Sequence, residues 1–198
     1  RRGDRVGVGQ ACAGGGTPPR DVLRRLQPRP SARSGGRRLS ETDAGARLDA
    51  AIGAARAAVA RDENRAAGWH DLGLLYQRRG ALAQSRAAFE RAVELEPALV
   101  SAHNNLGNTF TLLGDLDAAV ASYRRALELD PALVPAHANA AAALHRLGRN
   151  DEALAHARRA VALDPNATTV QITAALVEGA ALGFAAALER LEALVARD

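Results

Sequence analysis

The sequence predicts an all-α fold, an α-solenoid built from antiparallel helix pairs. Proline recurs with a constant step of 34 residues, at Pro97, Pro131 and Pro165. Glycine recurs between the prolines with the same step, beginning at Gly80. A fixed period of this length is typical of helical repeat arrays, in which a unit buries its apolar face only by stacking on its neighbours. Such arrays present long surfaces, so the period favours binding over catalysis.

The composition supports a core made of closely packed helices. Residues of the apolar class make up 47% of the chain, but aromatic residues make up only 3%. Alanine and leucine dominate, which suits helices that approach closely better than a β-sandwich. All 26 basic residues are arginines, since the sequence contains no lysine. This bias also fits a GC-rich bacterial coding sequence.

The basic residues are concentrated at one end of the chain. Residues 1–40 contain ten Arg and two Asp, and residues 41–198 contain 16 Arg and 20 acidic residues, so the net charges are +8 and −4. Residues 1–39 are rich in Arg, Gly, Pro and Ser, and we expect a disordered basic tail there. The tail has no aromatic residue for base stacking, so no specific nucleic-acid partner is predicted. A contact between the tail and the acidic repeats remains an open alternative.

The sequence gives no sign of an oxidising compartment or of a membrane span. Cys12 is the single cysteine, so no disulfide forms within the chain. No run of 18 apolar residues occurs, and the first residues lack the apolar stretch of a secretory signal. We therefore predict a cytoplasmic location.

The helices are predicted in order from the apolar spacing and the turn residues. Residues 40–65 contain a lone amphipathic helix, about Thr42–Arg61, in the place of a second helix of a preceding unit. Three full units follow, at 66–99, 100–133 and 134–167. Each unit is read as a helix, a glycine turn and a second helix that ends before the proline.

The last segment, residues 168–198, departs from the repeat. It is predicted to contain two helices, about Thr168–Ala181 and Phe184–Arg197, joined near Gly183. Glu178 stands where the earlier units have an apolar residue. We read the segment as a degenerate fourth unit or a pair of C-terminal capping helices, because arrays need atypical ends.

Landmark residues at fixed offsets identify the units. The first unit contains Trp69, Leu72, Gly73, Tyr76, Ser85, Phe89, Ala92 and Pro97. The second contains His103, Leu106, Gly107, Phe110, Ala119, Tyr123, Ala126 and Pro131. The third contains His137, Ala140, Ala141, Leu144, Ala153, Ala157, Ala160 and Pro165. This pattern resembles the tetratricopeptide repeat family. The resemblance implies a right-handed superhelix whose first helices line a concave groove.

The resemblance also places a peptide-binding groove at fixed positions of each first helix. The candidate binding residues are His70, Asp71, Leu74, Gln77, Arg78, Asn104, Asn105, Asn108, Thr111, Asn139, Ala142 and His145. An asparagine side chain offers a donor and an acceptor, which matches the backbone of an extended peptide. The asparagine run resembles the repeats of O-GlcNAc transferase, where a ladder of asparagines lines the groove. The alternative is that these asparagines are solvated helix surface.

Several chemical functions are set aside on the residues present. The lysine and arginine pattern with which chaperone adaptors of this family grip a terminal carboxylate is missing. His103 and His137 occupy the position of Trp69, so we read them as packing residues with one solvated edge. No pair of histidines or of histidine and glutamate has metal-ligand spacing, so no metal site and no cofactor are expected.

The predicted function is non-catalytic binding of a protein or peptide segment, as a scaffold or adaptor. In this mechanism the asparagines bond the peptide backbone, while Leu74, Thr111 and Ala142 supply apolar contact. His70, Gln77, Arg78 and His145 set selectivity at the edges of the groove. Two alternatives stay open: a substrate-recruiting module of a larger enzyme, such as a glycosyltransferase, and a self-associating assembly factor.

Overall fold

The computed structural model of the chain describes residues 41–195. Within this range every regular element is a helix, so the prediction of an all-α fold is confirmed. The predicted basic tail and Cys12 lie outside the described residues. In chain order the helices are α1 (Glu41–Arg61), α2 (Ala66–Arg79), α3 (Leu82–Leu95), α4 (Val100–Leu113), α5 (Leu116–Leu129), α6 (Val134–Arg146), α7 (Asn150–Leu163), α8 (Thr168–Leu182) and α9 (Phe184–Val195).

The helices stack as a linear array of pairs. Each helix packs on the next one along the chain, from α1 on α2 to α8 on α9. The first helices of successive units also contact each other, α2 with α4, α4 with α6 and α6 with α8. We call these four helices, side by side, the first-helix row. The row matters for function because it brings side chains from different repeats onto one continuous face.

The turns inside the first two units require glycine. Gly80 has φ 77° and Gly114 has φ 85°, both in the left-handed region that other residues adopt at a cost. At each turn two backbone amides bond back to the end of the preceding helix; the amide of Ala81, for example, donates to the carbonyl oxygen of Tyr76 at 2.9 Å. This geometry reverses the chain within about two residues and sets the second helix antiparallel to the first.

Glycine and an aromatic ring fit together where the two helices of a unit cross. A Cβ atom on Gly73 would lie 2.7 Å from the ring of Phe89, and one on Gly107 would lie 2.5 Å from the ring of Tyr123. Both rings are completely or almost completely buried. The missing side chain on the first helix therefore makes the space that the ring on the second helix fills.

The lone helix α1 packs as the second helix of a preceding unit would. Val59 is buried against Leu72 of α2 and Ala88 of α3, and Ile52 and Ala55 pack at the edge of this cluster. A guanidinium–carboxylate pair between Arg79 and Asp49, with a nitrogen–oxygen distance of 2.7 Å, joins α1 to the end of α2. Helix α1 thereby covers the apolar side of the first unit.

The last helix pair replaces an apolar contact by a buried ion pair. Glu178 of α8, at the register position of Tyr76 and Leu144, accepts two hydrogen bonds of 2.6 Å from the guanidinium of Arg190 in α9. Arg190 also donates to the side-chain oxygen of Gln171 at 2.6 Å. The helix pair is therefore retained although Glu178 replaces the apolar residue of the other units, because Glu178 has polar partners instead.

The outer side of this last pair is apolar and open. Ile172, Leu176, Leu191 and Val195 are each exposed by 40% or more of their surface. None of the helices in residues 41–195 combines the length and the hydrophobicity that crossing a bilayer requires.

Candidate functional site

The candidate site is the exposed side of the first-helix row, where the sequence places the groove. Hydrogen bonds between side chains join this side from helix to helix. Asn105 of α4 donates through Nδ2 to Nε2 of His70 in α2, at 3.0 Å. Because an amide nitrogen only donates, Nε2 of His70 is the acceptor and carries a lone pair. The two predicted site residues are therefore linked across the first and second units.

A second link joins the second and third units. Asn139 of α6 donates through Nδ2 to Oδ1 of Asn108 in α4, at 2.9 Å. The hydroxyl of Tyr123 in α5 donates to the same oxygen at 2.8 Å and lies 3.1 Å from the hydroxyl of Thr111. Burial raises the pKa of the Tyr123 hydroxyl, so it stays protonated and able to donate at neutral pH.

These contacts leave a specific set of amide groups without protein partners. Among the described residues, Nδ2 of Asn108 and Oδ1 of Asn139 make no hydrogen bond, although the two side chains are bonded to each other. Both residues are half-buried. The pair thus retains one donor and one acceptor, the two kinds of group that the backbone of an extended peptide complements.

Asn104 adds an unsatisfied acceptor on the same helix. Its Oδ1 atom is buried and has no hydrogen-bond partner among the described residues. Its Nδ2 atom makes only a long contact of 3.5 Å to Oδ1 of Asn105. A buried carbonyl oxygen without a donor costs free energy, which a ligand or water donor would recover after a rotation of the side chain.

A polar cluster that sequence reasoning missed supports the row from beneath. Buried Thr109 of α4 accepts a hydrogen bond of 3.4 Å from Nε2 of Gln77 in α2. It also contacts the hydroxyl of buried Ser85 in α3 at 3.2 Å, while Ser85 donates to the carbonyl oxygen of Gly73 at 2.9 Å. This cluster fixes Gln77, one of the predicted site residues, against the second unit.

Tyr123 is the second contribution that sequence reasoning missed, since the sequence identifies it only as a landmark of the repeat. A signal for its role exists within the repeats. The first unit combines Leu74 with Phe89, and the second unit combines Asn108 with Tyr123 at the same two positions. The hydroxyl and the amide thus stand in the same unit, where a hydrogen bond of 2.8 Å joins them.

The other predicted site residues lie at the margins of this network. Asp71, Arg78 and Ala142 are exposed, and Leu74 is half-buried. His145 lies 3.1 Å through Nδ1 from Oδ1 of Asn150 in its own unit, so it is bonded toward α7 rather than along the row. The structure thus joins His70, Gln77, Asn105, Asn108, Thr111 and Asn139 through side-chain contacts between adjacent helices.

His103 and His137 make a structural contact that repeats along the chain. The side chains at one register position bond the carbonyl oxygen six residues earlier: Trp69 to Glu63, His103 to Pro97, His137 to Pro131 and Gln171 to Pro165, at 2.7 to 3.2 Å. Each bond fastens the start of a first helix to the loop before it. No group of three or more potential metal ligands occurs in the part of the chain that the structure describes.

Two family models match the repeat region of the chain. The sequence model of the family described as TPR repeat matches residues 107–148, and that of the family described as Tetratricopeptide repeat matches residues 66–99 and 134–167. No curated protein has significant sequence similarity to the chain.

Solved structures share the fold at low sequence identity. A crystal structure of MamA is 21% identical with a TM-score of 0.66, over 76% of this chain and 94% of that chain. A MamA structure from Desulfovibrio magneticus RS-1 is 14% identical with a TM-score of 0.70, over 78% of this chain and 90% of that chain. YrrB, a TPR protein with an unusual peptide-binding site, is 21% identical with a TM-score of 0.65, over 77% of this chain and 78% of that chain. These likenesses confirm the α-solenoid fold.

Proposed function

Since the chain belongs to the tetratricopeptide repeat family, we propose that it is a non-catalytic scaffold that binds a peptide segment of a protein partner along the first-helix row. The observation that carries the proposal is the bonded pair of Asn108 and Asn139. Its remaining donor and acceptor match the carbonyl and amide groups of an extended backbone. The likeness to YrrB, which has a peptide-binding site, supports the same kind of ligand.

The network explains how such a surface is ready before the ligand arrives. Asn105 is held by His70, and Asn108 is held by both Tyr123 and Asn139. Side chains that are already fixed lose little rotational entropy when a ligand binds, so more of the interaction energy appears as affinity. The amide pattern then selects an extended main chain rather than one particular sequence.

Sequence selectivity is assigned to the margins of the row. Leu74, Thr111 and Ala142 supply small or apolar contact to the side chains of the ligand. His70, Gln77, Arg78 and His145 distinguish polar or charged side chains of the ligand. A cytoplasmic location, a non-catalytic role and the absence of a carboxylate grip stay predictions from the sequence.

The proposal is tested by selecting a ligand and removing one amide at a time. Peptides displayed on phage are selected on the whole chain, and the best binder is measured by calorimetry. We expect Asn139→Ala to lower the affinity for that peptide by about tenfold, because the change removes one acceptor and leaves the side chain of Asn108 less fixed. Asn166→Ala is the matched control, since Asn166 is exposed in the loop before α8 and its side chain makes no hydrogen bond within residues 41–195.

Equal affinities of the wild type and Asn139→Ala, with the control also unchanged, would mean that the peptide binds outside the first-helix row. Circular dichroism on each variant checks that the fold is retained. The alternative of a recruiting module in a larger enzyme is decided separately, by the full reading frame.

A second candidate, self-association, is favoured by the open apolar side of α8 and α9. Leu176 is 63% exposed and Val195 is 76% exposed, which is unusual for large apolar side chains. If this side mediates assembly, light scattering will give a mass that rises with concentration, and Leu176→Gln will reduce that rise. A constant monomeric mass at all concentrations would remove this candidate.

A further inference from the structure

A pocket outside the candidate site lies between the second helices α5 and α7 and includes His137 of α6 in its lining. Its volume is about 390 Å³, and its polar lining consists of Arg124, Glu128, His137, His156 and Arg159. The residues come from three helices of two neighbouring units. The pocket is therefore built by stacking and is not a feature of a single helix.

The glutamate that pairs with the counterparts of Arg159 in the first two units is replaced by alanine in the third unit. Arginine occupies its register position in all three units, as Arg91, Arg125 and Arg159. In the first two units a glutamate three residues later pairs with it: Glu94 with Arg91 at 2.9 Å and Glu128 with Arg125 at 2.7 Å. In the third unit that position is Ala162. Within the described residues Arg159 accordingly forms no ion pair.

A pair of histidines occupies the same pocket, and its hydrogen bonds define the tautomers. Nε2 of His137 lies 3.2 Å from the carbonyl oxygen of Pro131, which only accepts, so Nε2 of His137 is the donor. In the neutral ring Nδ1 of His137 then accepts, and Nδ1 of His156, 3.0 Å away, must donate. Nε2 of His156 is left with a lone pair and no partner among the described residues.

The consequence is that His156 can gain a proton without breaking the pair. Protonation at Nε2 of His156 keeps the Nδ1 donor in place and adds a second donor. Protonation of His137 at Nδ1 would instead set two donors against each other. Burial lowers the pKa of both histidines, and the charges of Arg124 and Arg159 add to this effect. An anion in the pocket would offset that positive potential.

The neighbouring carboxylates are held by arginines and do not take the place of that anion. Glu152 is shared, since Arg124 holds it at 2.7 Å and Arg149 also holds it at 2.7 Å. Glu128 lines the pocket, but its carboxylate lies 2.7 Å from Arg125, which is not part of the lining. The pocket therefore combines the guanidinium of Arg159, which forms no ion pair among the described residues, with that of Arg124, which shares Glu152 with Arg149, and with an imidazole that can become a cation. This set suits two negative charges.

We propose that the pocket between α5, α6 and α7 binds a phosphate monoester, with Arg159 and the protonated Nε2 of His156 as the charged donors. A phosphate group alone would not fill about 390 Å³, so the rest of the pocket receives the group that carries the phosphate. Leu127 and the ring of Pro131 supply apolar wall for that group. The pocket shares no residue with the candidate peptide site and stands independently of peptide binding there.

The test uses the whole chain labelled with nitrogen-15 in its histidines. Imidazole spectra are recorded with inorganic phosphate, phenyl phosphate, a phosphoserine peptide and its unphosphorylated form. We expect a saturable shift at His156 and a raised pKa of His156 with each phosphorylated probe, and neither with the unphosphorylated peptide. Tighter binding of the phosphoserine peptide than of phenyl phosphate identifies a protein partner as the source; the reverse identifies a small compound.

Three variants distinguish binding in the pocket from nonspecific electrostatic attraction of phosphate to an arginine-rich chain. Arg159→Ala should weaken binding by about tenfold or more. Arg158→Ala is the matched control, because Arg158 is the exposed neighbour on α7 and does not line the pocket. Ala162→Glu restores the partner found in the first two units, and it should weaken binding without removing any pocket residue.

Three results would each overturn the proposal: no saturable shift at His156, equal losses in Arg158→Ala and Arg159→Ala, or unchanged binding in Ala162→Glu. Ala162 is exposed, so that variant folds and keeps the test decisive if Arg159→Ala is unstable.

Discussion

Single atoms decide how closely the two helices of each unit approach. The ring of Tyr123 occupies the space that a side chain on Gly107 would take, and its hydroxyl reaches Asn108 on the same first helix. One residue therefore fills the core and orients the candidate site. A change at this position affects stability and binding together.

Replacing Gly107 by alanine tests the fit. Alanine normally stabilises a helix relative to glycine, but here Cβ would lie 2.5 Å from a ring that is buried and hydrogen-bonded. We expect Gly107→Ala to lower the free energy of unfolding by about 1–3 kcal/mol, as overpacked cores do. Urea denaturation followed by circular dichroism measures it.

Gly53→Ala provides the comparison, because nothing lies within 4 Å of its added Cβ in α1. That variant should raise stability by about 0.5–1 kcal/mol. Equal effects of the two changes would show that the ring of Tyr123 does not set the distance between the helices.

The pairing of Asn108 with Tyr123 predicts coupled substitutions. Tyr123→Phe removes one donor to Asn108 and should cost about 1 kcal/mol of stability. The double variant Tyr123→Phe with Asn108→Leu recreates the Leu74 and Phe89 combination of the first unit, and it should cost less than the sum of the two single changes. Additive losses in the double-mutant cycle would contradict a direct bond.

The histidine pair predicts a pH dependence of stability. Burial lowers the pKa of His137 and His156 in the folded state below the ordinary value of 6.5, so the unfolded chain binds more protons in that range. Their contribution is complete above pH 6.5 and is lost as the pH falls through the lowered values. Denaturation series between neutral and mildly acidic pH measure the slope.

His137→Gln isolates this contribution, since Gln171 makes the same bond to a loop carbonyl in the last unit. The variant keeps the fastening and removes one titrating group, so stability should fall less steeply with acid. A slope identical to that of the wild type would place the acid-sensitive group elsewhere.

At the scale of elements, the last helix pair shows that the repeat geometry tolerates different chemistry. Glu178, Arg190 and Gln171 stand at positions where the third unit has Leu144, His156 and His137. The ion pair of Glu178 and Arg190 is mostly shielded from solvent, with side-chain exposures of 10% and 23%. Neither partner is tolerated well without the other.

Glu178→Leu restores the residue class of the other units but leaves Arg190 without its partner. We expect it to destabilise the chain by about 3 kcal/mol despite the gain in hydrophobicity. Adding Arg190→Ala, which recreates the small residue of the first unit, should recover most of the loss in thermal melts. A stabilised single variant would mean that the ion pair contributes nothing.

At the scale of the whole molecule, the sequence predicts the array but not the network on its surface. The period of 34 residues sufficed for the fold, because no unit can bury its apolar face alone. Register also predicted that His103 and His137 replace Trp69. It did not reveal their bonds to loop carbonyls, which depend on side-chain direction.

The candidate site was predictable only as a set of positions. The bonds between Asn105 and His70 and between Asn108 and Asn139 join residues 35 and 31 positions apart, so they exist only after units stack. Ser85, Thr109 and Tyr123 lie beneath the row and read as core residues in a single sequence. The polar contacts at the interface between units therefore could not be predicted from the sequence.

The measurement that tests the central claim most directly is a cycle between the peptide backbone and Asn139. Each amide of the selected peptide is replaced in turn by an ester, which removes one N–H donor, and affinities are measured for the wild type and Asn139→Ala. The account predicts one ester position that weakens the wild type by about tenfold and leaves Asn139→Ala almost unaffected. If every ester analogue loses the same factor with both proteins, Asn139 does not bind the peptide backbone and the account is contradicted.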